Sequence, residues 1–154
     1  MRYSRRFLNS LTLITAVVLA GCGDGFGPSS GGTPLETNRL RWQANGYRDY
    51  TATITTLCFC VETRPLNVTV RGDSVVSATR QSDGQPVDAR WIPTINKLFD
   101  FIQRGIDQHA VQLDVDYDPD LGYPRRIVYD LATNLADEEV TYTVTDVRPI
   151  ASIR

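Results

Sequence analysis

Residues 93–118 read PTINKLFDFIQRGIDQHAVQLDVDYD, and they contain the strongest secondary-structure signals in the chain. Thr94 is a good helix N-cap, and the apolar residues after it recur at spacings of three and four, which is one face of an amphipathic helix. These apolar residues are Ile95, Leu98, Phe99, Ile102 and Ile106. From Val111 to Tyr117, apolar and polar residues then alternate strictly, as in a strand with one wet face. The stretch therefore predicts a helix followed by a half-buried strand.

The rest of the chain extends this pattern and repeats it. DPDLGYP (118–124) predicts a turn, and RRIVYDL (125–131) and EEVTYTVTDV (138–147) predict two more strands. A shift of 59 residues pairs the first half with the second without a gap, which indicates an α-β-β-β tandem duplication; chance matching among half-apolar segments is the alternative. The matched pairs include Leu40 with Phe99, Trp42 with Phe101, Ile54 with Leu113 and Pro65 with Pro124. The predicted fold is α+β: an antiparallel sheet of about six strands with two helices on one face.

The other face of this sheet is predicted to be wet and rich in threonine. Its threonines are Thr51, Thr53, Thr55, Thr69, Thr141, Thr143 and Thr145. Threonine is a favourable residue on an exposed strand, which explains the pattern without a function. The functional alternative is a flat protein-docking surface.

The N-terminus has the features of an export signal. Arg2, Arg5 and Arg6 precede an apolar run of about ten residues, which is too short to span a bilayer. The run ends at Leu-Ala-Gly-Cys, which resembles the lipobox of bacterial lipoproteins and predicts lipidation of Cys22. We therefore expect a signal peptide at 1–21, a Gly/Ser/Pro-rich tether at 22–36 and a single domain at 37–154.

Charge and location follow from this processing. Removal of the three signal arginines leaves 13 basic against 18 acidic residues, a net charge of −5. Such a chain, without a basic run, is not expected to bind nucleic acid. The predicted location is the bacterial cell envelope, with a membrane contact through the lipid anchor. Gly23, rather than Asp, after the anchor cysteine favours the outer membrane.

Two motifs resemble a family of small bacterial lipoproteins known only as a domain of unknown function. They are the C-x-C pair, Cys58 and Cys60, and the turn Asp-Pro-x-x-Gly-Tyr-Pro at 118–124. The resemblance covers about residues 42–148 and implies no activity. The layout is also similar to β-lactamase-inhibitor-like and PepSY-like envelope modules, which bind proteins, and this is an analogy of fold alone.

Cys58 and Cys60 have four interpretations. Continuing the strand alternation places both on the core face, where residues i and i+2 are about 6.6 Å apart. A disulfide needs Cβ atoms about 3.5–4.5 Å apart, so it requires a bend at Phe59. The alternatives are two buried free thiols, a redox-active pair, and a metal site that would need two further ligands. We expect a structural disulfide.

The remaining candidate residues have structural explanations. His109 is expected to be a half-exposed residue at a strand entry. A calcium loop starting at Asp116 would need Gly and Glu where Leu121 and Ile127 stand, so no metal site is predicted. Asp114 and Asp116 lack the signal of a cleft. The core is expected to include four aromatic residues, unless they form an exposed partner site. These are Trp42, Trp91, Phe99 and Phe101.

The sequence predicts a tethered, non-catalytic module that binds another protein or an envelope component. It contains no nucleophile motif, phosphate loop or cofactor fingerprint, so no enzyme activity and no cofactor are expected. The alternative is a thiol–disulfide or redox-sensing lipoprotein that uses Cys58 and Cys60.

Overall fold

The computed structural model of the protein describes residues 32–60, 62–132 and 139–151. Two helices and six strands form a single α+β unit. In chain order the elements are α1 (Pro34–Ala44), β1 (Tyr50–Leu57), β2 (Leu66–Arg71), β3 (Ser74–Arg80), a 3-10 turn (Ala89–Trp91), α2 (Ile95–Asp107), β4 (Gln112–Tyr117), β5 (Pro124–Asp130) and β6 (Val140–Pro149). No helix in the described part of the chain is long and apolar enough to cross a membrane.

The six strands form one open sheet in the order β3-β2-β1-β6-β5-β4, and all neighbours are antiparallel. The order α-β-β-β occurs twice along the chain, and the two three-stranded meanders join where β1 pairs with β6. This architecture confirms the predicted fold class. Because β1 and β5 run in the same direction, their last residues, Leu57 and Asp130, lie at the same end of the sheet.

α2 is the central element of the core, as its apolar periodicity predicts. The side chains at its five predicted core positions are buried except for Ile106, which lies exposed in the last turn. Thr94 caps the helix by accepting a hydrogen bond from the Lys97 amide. The buried Tyr50 hydroxyl accepts a second one from the Ile95 amide at 2.9 Å. These bonds fix the start of α2 at the end of the sheet where β1 begins.

α1 is the weaker helix and buries two residues, Leu35 and Trp42. It lies antiparallel to α2, because Arg39 pairs with Asp100 and Trp42 donates to Asn96. Trp42 is buried, whereas Leu40, which the repeat pairs with the buried Phe99, is 60% exposed. The first helix therefore does not reproduce the apolar face of the second one.

The folded unit begins earlier than the sequence suggests. α1 starts at Pro34 rather than near Thr37, with Thr33 accepting a hydrogen bond from the Glu36 amide at 3.2 Å. Proline is favourable in the first helical turn, because the amide it lacks has no partner there. Residues 34–36, assigned above to the tether, thus belong to the helix, and Leu35 is buried.

Candidate functional site

The end of β1 is a tight turn closed by a disulfide. β1 ends at Leu57, and Cys58 and Cys60 are bonded to each other with their Cα atoms 5.2 Å apart. A regular strand would separate these Cα atoms by about 6.6 Å, so the chain bends at the intervening residue, Phe59. Phe59 is 84% exposed. The turn therefore presents an aromatic side chain on a covalently closed loop.

Cys58 and Cys60 lie on the same side of the chain as Ile54, as the strand alternation predicts, but they are not buried in the core. Cys58 is half-buried and Cys60 is exposed. Ile54, Thr56, Cys58 and Cys60 still line one groove, but their exposure increases along the chain from the buried Ile54 to the exposed Cys60, because the segment runs beyond the core. Cys22, the predicted lipidation site, lies outside the described residues.

Glu62 holds the segment after this turn against β3. Its carboxylate accepts from Arg80 Nε at 2.7 Å and from Arg64 Nε at 2.9 Å. These two bonds, with the Arg80 bond the larger effect, lower the pKa of Glu62 to about 2. An ionised carboxylate between two guanidinium groups is a charge-assisted pairing, and it fixes one wall of the site.

We expect Glu62→Gln to change how stability depends on pH. Because the folded pKa of Glu62 lies below its ordinary value of 4.5, its contribution is fully present above about pH 4.5 and is lost as pH falls through about 2. Glu62→Gln should therefore lower the melting temperature at pH 7, and the difference from wild type should vanish towards pH 2. Melting curves from pH 7 to pH 2 measure this.

Asp114→Asn is the matched control for that experiment. Asp114 lies exposed on the wet face of β4, opposite Val128. A difference from wild type for Glu62→Gln that stays constant with pH, or one that Asp114→Asn reproduces, would contradict this role of Glu62.

The segment that joins β3 to α2 forms the opposite wall. It is held to β3 by hydrogen bonds from Val87 N to Ala78 O at 3.0 Å and from Arg80 N to Gln85 O at 2.9 Å. Asp88 accepts from the Arg90 amide and starts the 3-10 turn. The turn ends at Trp91, which is 84% exposed. Trp91 was predicted to lie in the core with Trp42, Phe99 and Phe101, and that prediction is wrong, because the 3-10 turn that it ends leaves its side chain exposed.

An apolar groove of about 520 Å³ lies between these two walls. Ile54 and Leu66 contribute to it from the helix-covered face of the sheet. The remaining lining residues are Thr56, Cys58, Cys60, Glu62, Val87, Asp88, Trp91, Ile92 and Tyr142. Concave apolar surfaces with a few polar groups are the usual form of a binding site. Phe59 extends from the same turn that supplies Cys58 and Cys60.

The polar groups of the groove are suited to binding. Tyr142 contributes a hydroxyl, which is protonated at neutral pH as in any tyrosine and can donate a hydrogen bond; burial raises its pKa above the ordinary value of 10. Glu62 and Asp88 are each paired with an arginine, Glu62 with Arg80 and Asp88 with Arg90. A groove whose carboxylates are neutralised in this way favours an uncharged, apolar ligand over an ionic one.

The other candidates remain apart from this groove. His109 ends α2 in the left-handed conformation (φ 54°), with its own amide bonded to Ile106 O and the Ala110 amide to Gly105 O. This is the Schellman pattern of a helix C-terminus. His109 is exposed. It therefore has a structural role in stopping α2.

The acidic run after α2 also has a structural explanation. Asp114 and Asp116 lie exposed on the wet face of β4, whereas Asp118 accepts from the amides of Asp120 and Leu121. Within the described ranges, no three His, Cys, Asp or Glu side chains are grouped so that they could hold a metal ion.

The wet face of the sheet is a regular array of hydroxyl groups. Thr51 pairs with Thr69, Thr53 with Thr145 and Thr55 with Thr143 in adjacent strands. A shallow polar depression lies over part of it. It lacks the apolar surface of the groove, and we take the groove as the candidate site.

In a comparison with protein-family models, residues 34–149 match a family of unknown function, DUF6174. The match includes the disulfide turn, the groove and the turn at 118–124. The chain belongs to DUF6174. This confirms the resemblance to a family of unknown function, and the match begins at the first residue of α1. No curated protein and no solved structure matches the chain.

The sequence of this DUF6174 domain thus predicted only one of the two walls of the candidate site. The C-x-C pair was identified, but Trp91 and the wall formed by residues 85–92 were missed. A tryptophan in a connection between a strand and a helix follows no periodic pattern, so periodicity could not distinguish it from a core residue. The Asp-x-Arg-Trp order at 88–91 is the available signal, because an aspartate can cap the turn that presents the tryptophan.

Proposed function

We propose that this DUF6174 protein is a lipid-anchored, non-catalytic binding module of the bacterial cell envelope. The anchor is Cys22, and the outer membrane is favoured by Gly23. The binding site is the groove between the disulfide turn and Trp91, which takes an apolar part of another envelope component. The observation that carries the proposal is this groove, with Trp91 exposed in its lining and Phe59 exposed on the disulfide turn that supplies Cys58 and Cys60 to it. Solvent-exposed aromatic side chains that gather at one site indicate a partner.

The anchor is tested by mass spectrometry of the protein from a bacterial host. Wild type should carry a diacylglyceryl group on Cys22 and sediment with membranes. Cys22→Ala should lack the acyl mass and leave the membrane fraction, because acyl chains supply the affinity for the bilayer. Unmodified Cys22 in the wild-type protein would exclude the anchor.

The groove is tested by photo-crosslinking in cells. The photoreactive analogue benzoylphenylalanine is placed at Phe59 or, as a control, at Val76, which is also exposed but lies at the beginning of β3. We expect a product from position 59 alone. Thr56→Trp, which fills the groove, should remove that product, whereas Thr53→Trp on the wet face should not. Equal products from positions 59 and 76 would contradict a site here.

A thiol–disulfide function for Cys58 and Cys60 is the second candidate, and the exposure of Cys60 favours it. In such a reaction a partner dithiol gives two electrons and two protons to the Cys58–Cys60 bond. The partner leaves as a disulfide, and the two cysteines become thiols. The half-buried position of Cys58 makes Cys60 the sulfur that a partner reaches first.

The double variant Cys58→Ser, Cys60→Ser separates the two roles. A structural disulfide that closes so short a loop should contribute roughly 1–2 kcal/mol to the free energy of unfolding, which urea titration measures. A redox pair should instead leave stability near wild type, while exchange with a dithiol is lost. Alkylation of native protein before and after reductant shows which thiols are free.

A further inference from the structure

The exposed apolar side chains of the domain are concentrated at one end of the sheet. Of the seven large hydrophobic residues exposed in the described part of the chain, five lie at the end where β1 and β5 finish. They are Leu57, Phe59, Trp91, Ile106 and Val111. We call this set the apolar end. Single exposed apolar residues are normal, but five at one end form a surface that a partner would cover.

The members of the apolar end reach it from several elements, and Trp91 does so by lining the same groove as Cys58 and Cys60. Leu57 is the last residue of β1, and Phe59 lies on the turn that follows. Ile106 lies in the last turn of α2, and the α2 cap residue Gln108 accepts from Tyr129, near the end of β5. Val111 donates to the carbonyl of Leu131, directly after β5.

The start of the domain points to the same end. α1 is antiparallel to α2, so its first residue, Pro34, lies beside the C-terminal half of α2. Twelve peptide steps separate Cys22 from Pro34, and they reach at most about 43 Å when fully extended. An anchor at Cys22 therefore holds the start of α1, and with it this end of the domain, within about 43 Å of the membrane.

We infer that the apolar end lies on the lipid bilayer that holds the anchor. This names the bilayer as the partner of the groove and its rim, and it rests on the anchor proposed above. Tryptophan is enriched at membrane interfaces, because one part of its ring is apolar and the other is a hydrogen-bond donor. Phe59 and Trp91 enter the interface from the two walls of the groove, which then opens against lipid.

The contact is apolar rather than electrostatic. The mature chain has a net charge of −5 by sequence, and the arginines of the groove walls are paired, Arg64 and Arg80 with Glu62 and Arg90 with Asp88. Such a surface is not attracted to anionic headgroups, so salt should not weaken the contact. The few side chains involved bind weakly alone, and the anchor makes the contact effective by holding them at high local concentration.

The chain has two tryptophans, which makes the test direct. Acylated protein is purified from a bacterial host and reconstituted into vesicles of phosphatidylethanolamine and phosphatidylglycerol, with or without brominated acyl chains. Trp42 is buried and gives a constant background, which Trp91→Phe measures by itself. We expect brominated lipid to remove most of the Trp91 emission, at low and at high salt. Phe59→Ser should reduce this quenching, and Val76→Ser should not.

The outcomes separate this inference from the proposed anchor. Suppose that Cys22 carries the acyl mass but Trp91 is quenched by aqueous acrylamide and not by brominated lipid. This result would overturn the bilayer contact and leave the proposed anchor intact. Lack of acyl mass would overturn both. Quenching that disappears at high salt would overturn the apolar contact in favour of an electrostatic one. A crosslink from position 59 to a protein but not to lipid would assign the groove to that protein.

Discussion

Replacing Trp42 by alanine should lower the free energy of unfolding by about 3–5 kcal/mol, the usual range for removing a buried tryptophan. Trp42 is 3% exposed and packs edge-on against Tyr47, Tyr50 and Tyr123, with ring centroids 5.5–6.2 Å apart. Its indole N–H donates to Asn96 at 3.1 Å. It therefore connects α1 to α2, to β1 and to the turn before β5 at one point.

We expect a large effect because few other residues of α1 are buried in the core. The buried residues of α1 are Leu35 and Trp42. Urea unfolding measures the loss, and hydrogen exchange should show the amides of α1 losing protection before those of α2. Because a domain has only about 5–15 kcal/mol in total, Trp42→Ala should remove a large share of the stability of this one.

Leu40→Ala and Trp42→Phe are the controls. Leu40 is an exposed apolar residue of the same helix, and its removal should change stability by less than about 0.5 kcal/mol. Trp42→Phe keeps an aromatic ring but loses the hydrogen bond to Asn96, so its effect should be intermediate. If Trp42→Ala and Leu40→Ala had equal effects, α1 would not depend on this contact.

The elements that the sequence predicted well are those in which periodicity and burial agree. In α2 the apolar spacing, the Thr94 cap and the buried face all agree with a helix that packs on a sheet. In β4 the residues alternate because one face of the strand is exposed to solvent. α1 has no such apolar face. Its start at Pro34 was not predicted, because a proline- and glycine-rich segment indicates a flexible tether. Proline is, however, also favourable in the first turn of a helix.

The candidate site was harder to predict, because its two walls leave the regular pattern. β1 ends at Leu57, yet Thr56, Cys58 and Cys60 continue its alternation in the sequence. These side chains line the groove with Ile54, but beyond the core their exposure rises, and the chain bends at Phe59 as the disulfide requires. Trp91 lies in a connection whose sequence has no periodic pattern. No local sequence signal therefore predicts that it lies opposite the disulfide turn.

Replacing Gly122 by alanine should be the second large effect, at roughly 2–4 kcal/mol, because two penalties add. Gly122 has φ 79°, a conformation that costs a residue with a Cβ about 1–2 kcal/mol. A Cβ there would also lie 2.6 Å from the carbonyl oxygen of Asn38 and 2.9 Å from Cβ of Arg41. The second penalty arises because the turn at 118–124 lies directly against α1.

Gly84→Ala isolates the second penalty. Gly84 has a similar φ of 69°, but nothing lies within 4 Å of the position that its Cβ would take. It should therefore show the conformational penalty alone, and thermal melting of both variants should give a larger fall for Gly122→Ala. Equal falls would mean that α1 can move away from the turn without loss. A larger fall at Gly122 would explain the glycine of the Asp-Pro-x-x-Gly-Tyr-Pro motif: it lets the turn approach α1 closely enough for Tyr123 to pack against Trp42, so the motif and the helix are parts of one contact.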